Sequence, residues 1–367
     1  MAATSDGGTA VGRRLRRPSL FSTLLVGVGF VPAWVATGAI AIVAAFLAPA
    51  TLSGDSFSSV LPLTTFLGIA ALGEMLVIMT GGIDLSIPGT FTLVANLCVG
   101  VNAGSNSRLG VTIAILLAYS AVIGLVNGLL IVVARLNPLI VTLATGQILL
   151  GISTWYASTI ANESSVPSDL STFATARFLG INAIFWVGLC ITLVLALVLR
   201  QTTVGRRFQA VGANPRAAWI AGLRVRRYVI LAYVCASVLY GAAGLLLAGF
   251  IQFPTLDIGG PYLLGPIAAV VIGGASLAGG LASVTSTWVA AFMLTLLSQM
   301  LVVLGLSTAW QLVVFGLAIA GGLVVSGDRI VGATGAILQR PGLRPRFGDP
   351  ELVPHESGEV GGEEGAL

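Results

Sequence analysis

Between Val31 and Val325 the chain is a succession of apolar runs, and this pattern constrains its fold more than any other feature. A bilayer core of roughly 30 Å takes about 20 helical residues to cross. Runs near that length are Val31–Pro49, Val60–Met79, Ile87–Val101, Leu109–Val133, Leu139–Ile160 and Ile181–Leu199. Four more follow: Tyr228–Phe250, Pro261–Ile272, Val284–Leu304 and Ala309–Val325. Of 367 residues, 56% are hydrophobic and 9% charged, whereas a soluble domain carries roughly 25% charged residues. No soluble surface can be built from this composition. The fold class is all-α: a polytopic membrane protein with about ten transmembrane or partly spanning helices. Ile87–Val101 and Pro261–Ile272 are short for a full span and adjoin Gly-rich turns, so each is expected to be tilted, broken or re-entrant.

The charges outside these runs set the topology. All 18 basic residues are arginine. Without lysine there is no Walker A phosphate loop and no Schiff-base chemistry, so any drive from ATP must come from a partner. Arg13, Arg14, Arg16 and Arg17 precede the first run. Arg200, Arg206, Arg207, Arg216, Arg224, Arg226 and Arg227 crowd one loop, and Arg329, Arg340, Arg344 and Arg346 follow the last run. The positive-inside rule makes all three regions cytoplasmic. Six crossings before the loop and four after it satisfy that parity. The expected organisation is a disordered basic leader at 1–30, a membrane domain at 31–326 with a cytoplasmic loop at 201–227, and a disordered cytoplasmic tail at 327–367. The three cysteines, Cys98, Cys190 and Cys235, lie scattered in apolar segments and the single histidine, His355, lies in the tail. Nothing in their spacing suggests a metal site, a disulfide framework or a cofactor, and no motif points to nucleic acid.

Within the apolar region, the segment Gly81-Gly82-Ile83-Asp84-Leu85-Ser86 stands out. A carboxylate facing lipid costs about 2.5–3.5 kcal/mol on insertion scales, so Asp84 must face protein, a water-filled cavity or the membrane edge. The adjacent glycines let the backbone bend and helices approach closely. The topology puts this motif at the cytoplasmic end of a span, where Asp84 need not be deeply buried. Gly81, Gly82, Asp84 and Ser86 then read as part of an inner gate rather than a mid-membrane ligand for a solute; the plainer reading is a polar turn between two spans. Glu74, inside the second run, is either a pore-lining group or an acid near enough to the cytoplasmic edge to be wet. Asn96, Asn127, Gln147, Gln299 and Gln311 serve either a solute or helix-to-helix hydrogen bonds.

A shift of 192 residues brings Pro62, Gly68, Leu72, Gly73, Gly81, Gly82 and Leu85 onto Pro254, Gly260, Leu264, Gly265, Gly273, Gly274 and Leu277. This weak internal repeat would be parallel, as in many transporters. The second turn carries Gly273, Gly274, Gly279 and Gly280 but no acid, since Ser276 stands where Asp84 would. Glycine at this density disfavours helix. Either a bend along a pathway or a simple inter-helix loop accounts for it.

In the Arg-rich loop, Asn214 followed by Pro215 is a helix start. Arg216, Ala217 and Ala218 continue that helix and Gly222 can end it, giving one short two-turn cytoplasmic helix. Its small-residue surface with Trp219 and Ile220 suits docking to a partner protein; a helix lying on anionic membrane lipid is the alternative.

Taken in order, the segments "LVIMTGGIDLSIPG", "VGANPRAAWIAGL" and "IAAVVIGGASLAGG" resemble the permease subunits of bacterial ABC importers for monosaccharides, the ribose, xylose and galactose type with its autoinducer-2 relatives. The resemblance runs from about Phe57 to Asp328. It implies a transport subunit rather than an enzyme, in the bacterial inner membrane, paired with a second permease copy or homologue. It also implies a cytoplasmic ABC ATPase, often a double cassette, and an extracytoplasmic sugar-binding protein. The helix at Ala217, Ala218 and Gly222 is similar to the family's coupling helix, although Arg216 stands where the Glu-Ala-Ala-x-x-x-Gly form has its acid. Two other classes compete: a sibling permease for branched-chain amino acids or nucleosides, which usually departs from "GGIDLS", and a stand-alone ion-coupled carrier, which would need more intramembrane acids or histidines than Glu74 and Asp84.

Overall fold

Helix boundaries follow local signals in the sequence, and the helices then sort by how much apolar surface each can bury. The computed structural model describes residues 31–102, 105–159, 166–280, 282–307, 309–317 and 320–321. The leader at 1–30 and the tail at 327–367 lie outside the described residues, as does part of the tenth run, which is helical at 309–317.

The first helices are α1 (Val31–Leu47), α2 (Gly54–Met79), α3 (Ile87–Asn102), α4 (Leu109–Val132) and α5 (Pro138–Thr159). A short helix α6 (Ser168–Thr175) leads into a two-stranded antiparallel pair, β1 (Arg177–Phe178) and β2 (Ile181–Asn182), with Phe178 opposite Ile181. Then come α7 (Ala183–Gln201), α8 (Thr203–Ala213), α9 (Pro215–Ile220), α10 (Val225–Ile251), α11 (Gly265–Ile272) and α12 (Val284–Val303). Among the described residues, six helices are long and apolar enough to cross a membrane: α2, α4, α5, α7, α10 and α12. At 1.5 Å per residue, α11 reaches only about 12 Å and cannot cross alone. It starts late because Gly260–Tyr262 forms a separate 3-10 turn, and Pro266 in the first turn of α11 suits a helix start rather than a helix interior. So Pro261–Ile272 is a broken segment, one of the outcomes its length and glycines led us to expect.

One correction concerns a connection. The loop at 201–227 holds two helices where one was expected. Thr202 caps α8 by accepting from the Gly205 N–H at 3.2 Å, a local start signal that the arginines obscure. The stretch before α7 is also structured: Leu170 and Ala174 of α6 are buried, and the α6 residues pack where Gly249 of α10 has no side chain.

Helix α2 divides the interior. Phe66, Ile69, Ala70 and Val77 belong to a core shared with α3, α4, α6 and α10. Leu67, Leu72, Met75 and Met79 belong to a second core shared with α8, α11 and α12. Its most apolar stretch is 89% buried, against 22% for α7. Helices α4, α5 and α7 turn Ile115, Val122, Ile140, Ile148, Leu193 and Leu197 outward, the apolar exterior that lipid requires. Helices α4 and α10 approach closely at Gly124, Gly128 and Gly241, where a Cβ would meet Tyr233, Ile230 and Ser120.

Candidate functional site

The break between α2 and α3 is built by a helix cap. Gly81 adopts φ +81, which side chains of L-residues disfavour by about 1–2 kcal/mol. Its N–H donates to the Ile78 carbonyl at 2.9 Å and that of Gly82 to the Val77 carbonyl at 3.2 Å, the paired bonds of a Schellman stop. Helix α11 ends the same way. Gly274 has φ +90, its N–H donates to Val271 at 2.9 Å, and that of Ala275 donates to Val270 at 3.2 Å. The two caps coincide at a shift of 193, so Gly81 corresponds to Gly274. The expected shift of 192 matched glycines whose backbones play different parts: Gly82 is bare because Tyr233 Oη occupies the space of a Cβ, and Gly273 because a Cβ would lie 3.0 Å from Thr287 of α12.

After the first cap the chain folds into a buried polar seam. Asp84 Oδ1 accepts from the Ser86 N–H at 2.9 Å and the Ser86 hydroxyl at 2.6 Å, an Asx turn that launches α3. The Asp84 N–H donates to Glu74 Oε1 at 3.2 Å. The Tyr240 hydroxyl of α10 donates to Glu74 Oε2 at 2.9 Å; the tyrosine ring lies against Gly73, where a Cβ would come 2.6 Å from it. On the other side, Asn127 of α4 donates to Ser86 Oγ at 3.2 Å, and the Thr145 hydroxyl of α5 donates to Asn127 Oδ1 at 2.7 Å. The Leu85 N–H donates to Thr142 Oγ1 at 2.9 Å. Four helices, α2, α4, α5 and α10, thus converge on six residues of chain.

Glu74, Asp84 and Ser86 are each 0% exposed. This corrects the expectation for Asp84. Parity placed the motif at one end of a span but said nothing of depth within the protein, and the surrounding helices enclose it. Glu74 is likewise enclosed, bonded rather than wet. Two polar atoms of the seam, Asp84 Oδ2 and Tyr233 Oη, are buried without a hydrogen-bond partner. Of the other intramembrane polar residues, Asn96 donates to Ser153 at 2.8 Å, tying α3 to α5, and Asn127 joins α4 to the break and to α5. Gln147 is exposed. Tyr240, Tyr233, Thr142 and Thr145 were not singled out from the sequence. The available signal was a tyrosine hydroxyl inside an apolar run, which needs a partner when buried.

The remaining glycines of the second turn meet the first turn directly. The Gly280 N–H donates to the Met79 carbonyl at 3.0 Å. A Cβ on Gly279 would sit 3.0 Å from the Gly212 carbonyl, 3.2 Å from the Gly81 nitrogen and 3.2 Å from the Met79 oxygen. A Cβ on Gly212, near the end of α8, would overlap the Met79 oxygen. One residue past α8, Asn214 Oδ1 accepts from the Ala217 N–H at 3.0 Å and caps α9, which opens on Pro215 as expected. Arg216 and Ala217 are exposed, Ala218 is buried, and Gly222 ends the helix at φ +82. Trp219 and Ile220 are 71% and 75% exposed. Beside α9, a groove of about 560 Å³ is lined by Arg207, Arg224, Arg227, Leu223, Tyr228 and Leu231 among others.

The chain is similar in sequence to known proteins. Residues 56–321 match the family model described as branched-chain amino acid transport system / permease component. The autoinducer 2 import system permease protein of an Enterobacter species is 33% identical over 264 residues, covering 72% of this chain and 76% of that protein. The ribose import permease protein of Escherichia coli is 30% identical over 269 residues, covering 72% and 84%. The galactose/methyl galactoside import permease protein of Haemophilus influenzae is 30% identical over 280 residues, covering 72% and 83%. No solved structure matches the chain. With the family model spanning most of the membrane region and relatives of this type along its length, the chain belongs to the permease-component family of ABC transport systems, as a multi-pass membrane subunit rather than an enzyme.

Proposed function

We propose that this chain forms the translocation pathway of an ATP-driven importer for a monosaccharide or a similar small polar solute. Its partners are a cytoplasmic ABC ATPase, an extracytoplasmic binding protein that delivers the solute, and a second permease, identical or homologous. The relatives named for ribose, galactose and autoinducer 2 support this substrate class over branched-chain amino acids.

The observation that carries the ATPase partnership is α9. A capped helix that leaves Trp219 and Ile220 exposed, with Ala217 and Gly222 beside them, presents an apolar knob outside the spans. Exposed aromatic anchors of this kind are the usual centres of protein interfaces. Asn214, Pro215, Arg216, Ala217, Ala218 and Gly222 form the ATPase-coupling element, on the cytoplasmic side together with both chain termini. Gly81, Gly82, Asp84, Ser86, Glu74, Gly273, Gly274, Gly279 and Gly280 form the inner gate. Rocking of the paired permeases, driven by nucleotide binding to the ATPase, would open and close that gate.

Reconstitution into liposomes with the ATPase and the binding protein tests this reading. Uptake of labelled sugar is expected only with ATP inside the cassette compartment, and uptake that persists without the ATPase would refute it.

A further inference from the structure

We infer that Gly212 is a positioning residue for energy coupling, the point at which movement of α9 reaches both glycine turns. The inference rests on the reading of α9 as the ATPase-docking helix.

Three segments distant in sequence meet at one carbonyl. Met79 is the last residue of α2, and its oxygen accepts from the Gly280 N–H at 3.0 Å. Gly212 leaves that same oxygen the space a Cβ would fill, and its own carbonyl lies where a Cβ on Gly279 would come within 3.0 Å. Ala213, the next residue, lies 3.7 Å from the Cβ position of Gly280. Only Asn214 separates α8 from α9. The docking helix is therefore linked through one residue to a joint made of backbone atoms alone.

Two properties suit that joint to transmission. Side chains absorb small displacements by changing rotamer, whereas packed backbone does not, and close-packed interiors pass strain on. Helix α8 is also anchored: Phe208 is buried with Leu199, Met79, Ala275 and Val284 in one core, and its ring meets Tyr228 edge-on at 6.2 Å. A shift of α9 thus drives α8 against the end of α2 and the second turn together. The end of α2 continues directly into the seam at Asp84 and Ser86.

Proximity shows a route and leaves the coupling itself to measurement. In the complete transporter, G212V should still retain the ATPase, hydrolyse ATP within about twofold of wild type, and take up solute at least about tenfold more slowly, in the range of ordinary coupling energies. G212A should fall between the two. A purely structural role would lower hydrolysis, assembly and uptake together; it would not raise the ATP consumed per solute. Normal uptake by an assembled G212V complex overturns the inference. A wild-type chain that never captures the ATPase refutes the docking reading instead. Should G212V fail to fold, Gly212 can be left intact and the joint read with spin labels on Ala210→Cys and Ala278→Cys, after replacing Cys98, Cys190 and Cys235. The dipolar spectrum should be the same in nucleotide-free and ATP-trapped complexes, and a change between them would show that α8 and the second turn move independently.

Discussion

The two glycine turns share a backbone design and differ in what surrounds it. Gly81 and Gly274 stop α2 and α11 with the same pair of hydrogen bonds. Past the first stop, the chain is clasped by α4, α5 and α10 through buried polar groups. Past the second, the Ser276 hydroxyl accepts from the Ala278 N–H at 3.2 Å, at an exposed position, and its carbonyl accepts from the Gly279 N–H at 3.0 Å. One break is held by buried side-chain bonds from several helices, and the other by local turns, one backbone bond from Gly280 to Met79 and close backbone packing. The stop is therefore separable from the clasp. A cap decides where a helix ends, and the polar seam decides whether the segment after it can move.

Substitutions can separate these roles. The largest effect is expected from Glu74→Ala, which leaves the Tyr240 hydroxyl and the Asp84 N–H buried without an acceptor and should cost about 3 kcal/mol of stability. Ser276→Ala in the second turn should cost less than about 0.5 kcal/mol. Unfolding of both variants in detergent measures the contrast, and equal losses would dissolve it. Next come Gly81→Ala and Gly274→Ala, where a shared cap predicts a shared penalty of about 1–2 kcal/mol for a side chain at positive φ. A cost at only one of them would show that the correspondence at 193 is not energetic. Within the first turn, the smallest effect is expected from Asp84→Asn. It keeps the Oδ1 acceptor of the Asx turn, so the loss should stay below about 1 kcal/mol in the same unfolding assay. A larger loss would mean that the seam depends on the acid itself and not on the geometry of that oxygen.

What was legible in the sequence was whatever is written locally. Asn214-Pro215 and Gly222 announce the start and stop of α9 because caps act within a few residues. The C-terminal end of α2 and both ends of α12 were equally plain, whereas α2 starts at Gly54, before the run read from Val60. The length of α11 was half legible: Gly259, Gly260 and Pro261 signal a break, but only the separate 3-10 turn shows how little helix remains. Helix α6 was missed because eight residues with few apolar positions carry little periodicity, and it is the fit of Leu170 against Gly249 that holds it. The depth of Asp84 was out of reach for another reason. Arginine counts report which side of a membrane a turn lies on, whereas burial here depends on partners such as Tyr240, which lies 166 residues from Glu74. Gly212 was visible as a residue of the loop motif, and its importance appears only when Met79 and Gly279 are brought beside it.

The glycine stops have one more consequence. The pattern of Gly81 and Gly274 recurs at Gly222 after α9 and at Gly305 after α12, with the same pair of bonds to the carbonyls of Trp219 and Ala218 and of Val302 and Leu301. These four sites range from the end of a helix sealed in the interior to the tip of one that projects outward. A stop that relied on a charged or hydroxylated side chain would weaken or strengthen as its surroundings changed from hydrocarbon to protein to water. A stop built from a positive-φ glycine and backbone hydrogen bonds needs no side chain matched to its medium. A chain threaded repeatedly between unlike solvents can therefore use one punctuation mark throughout.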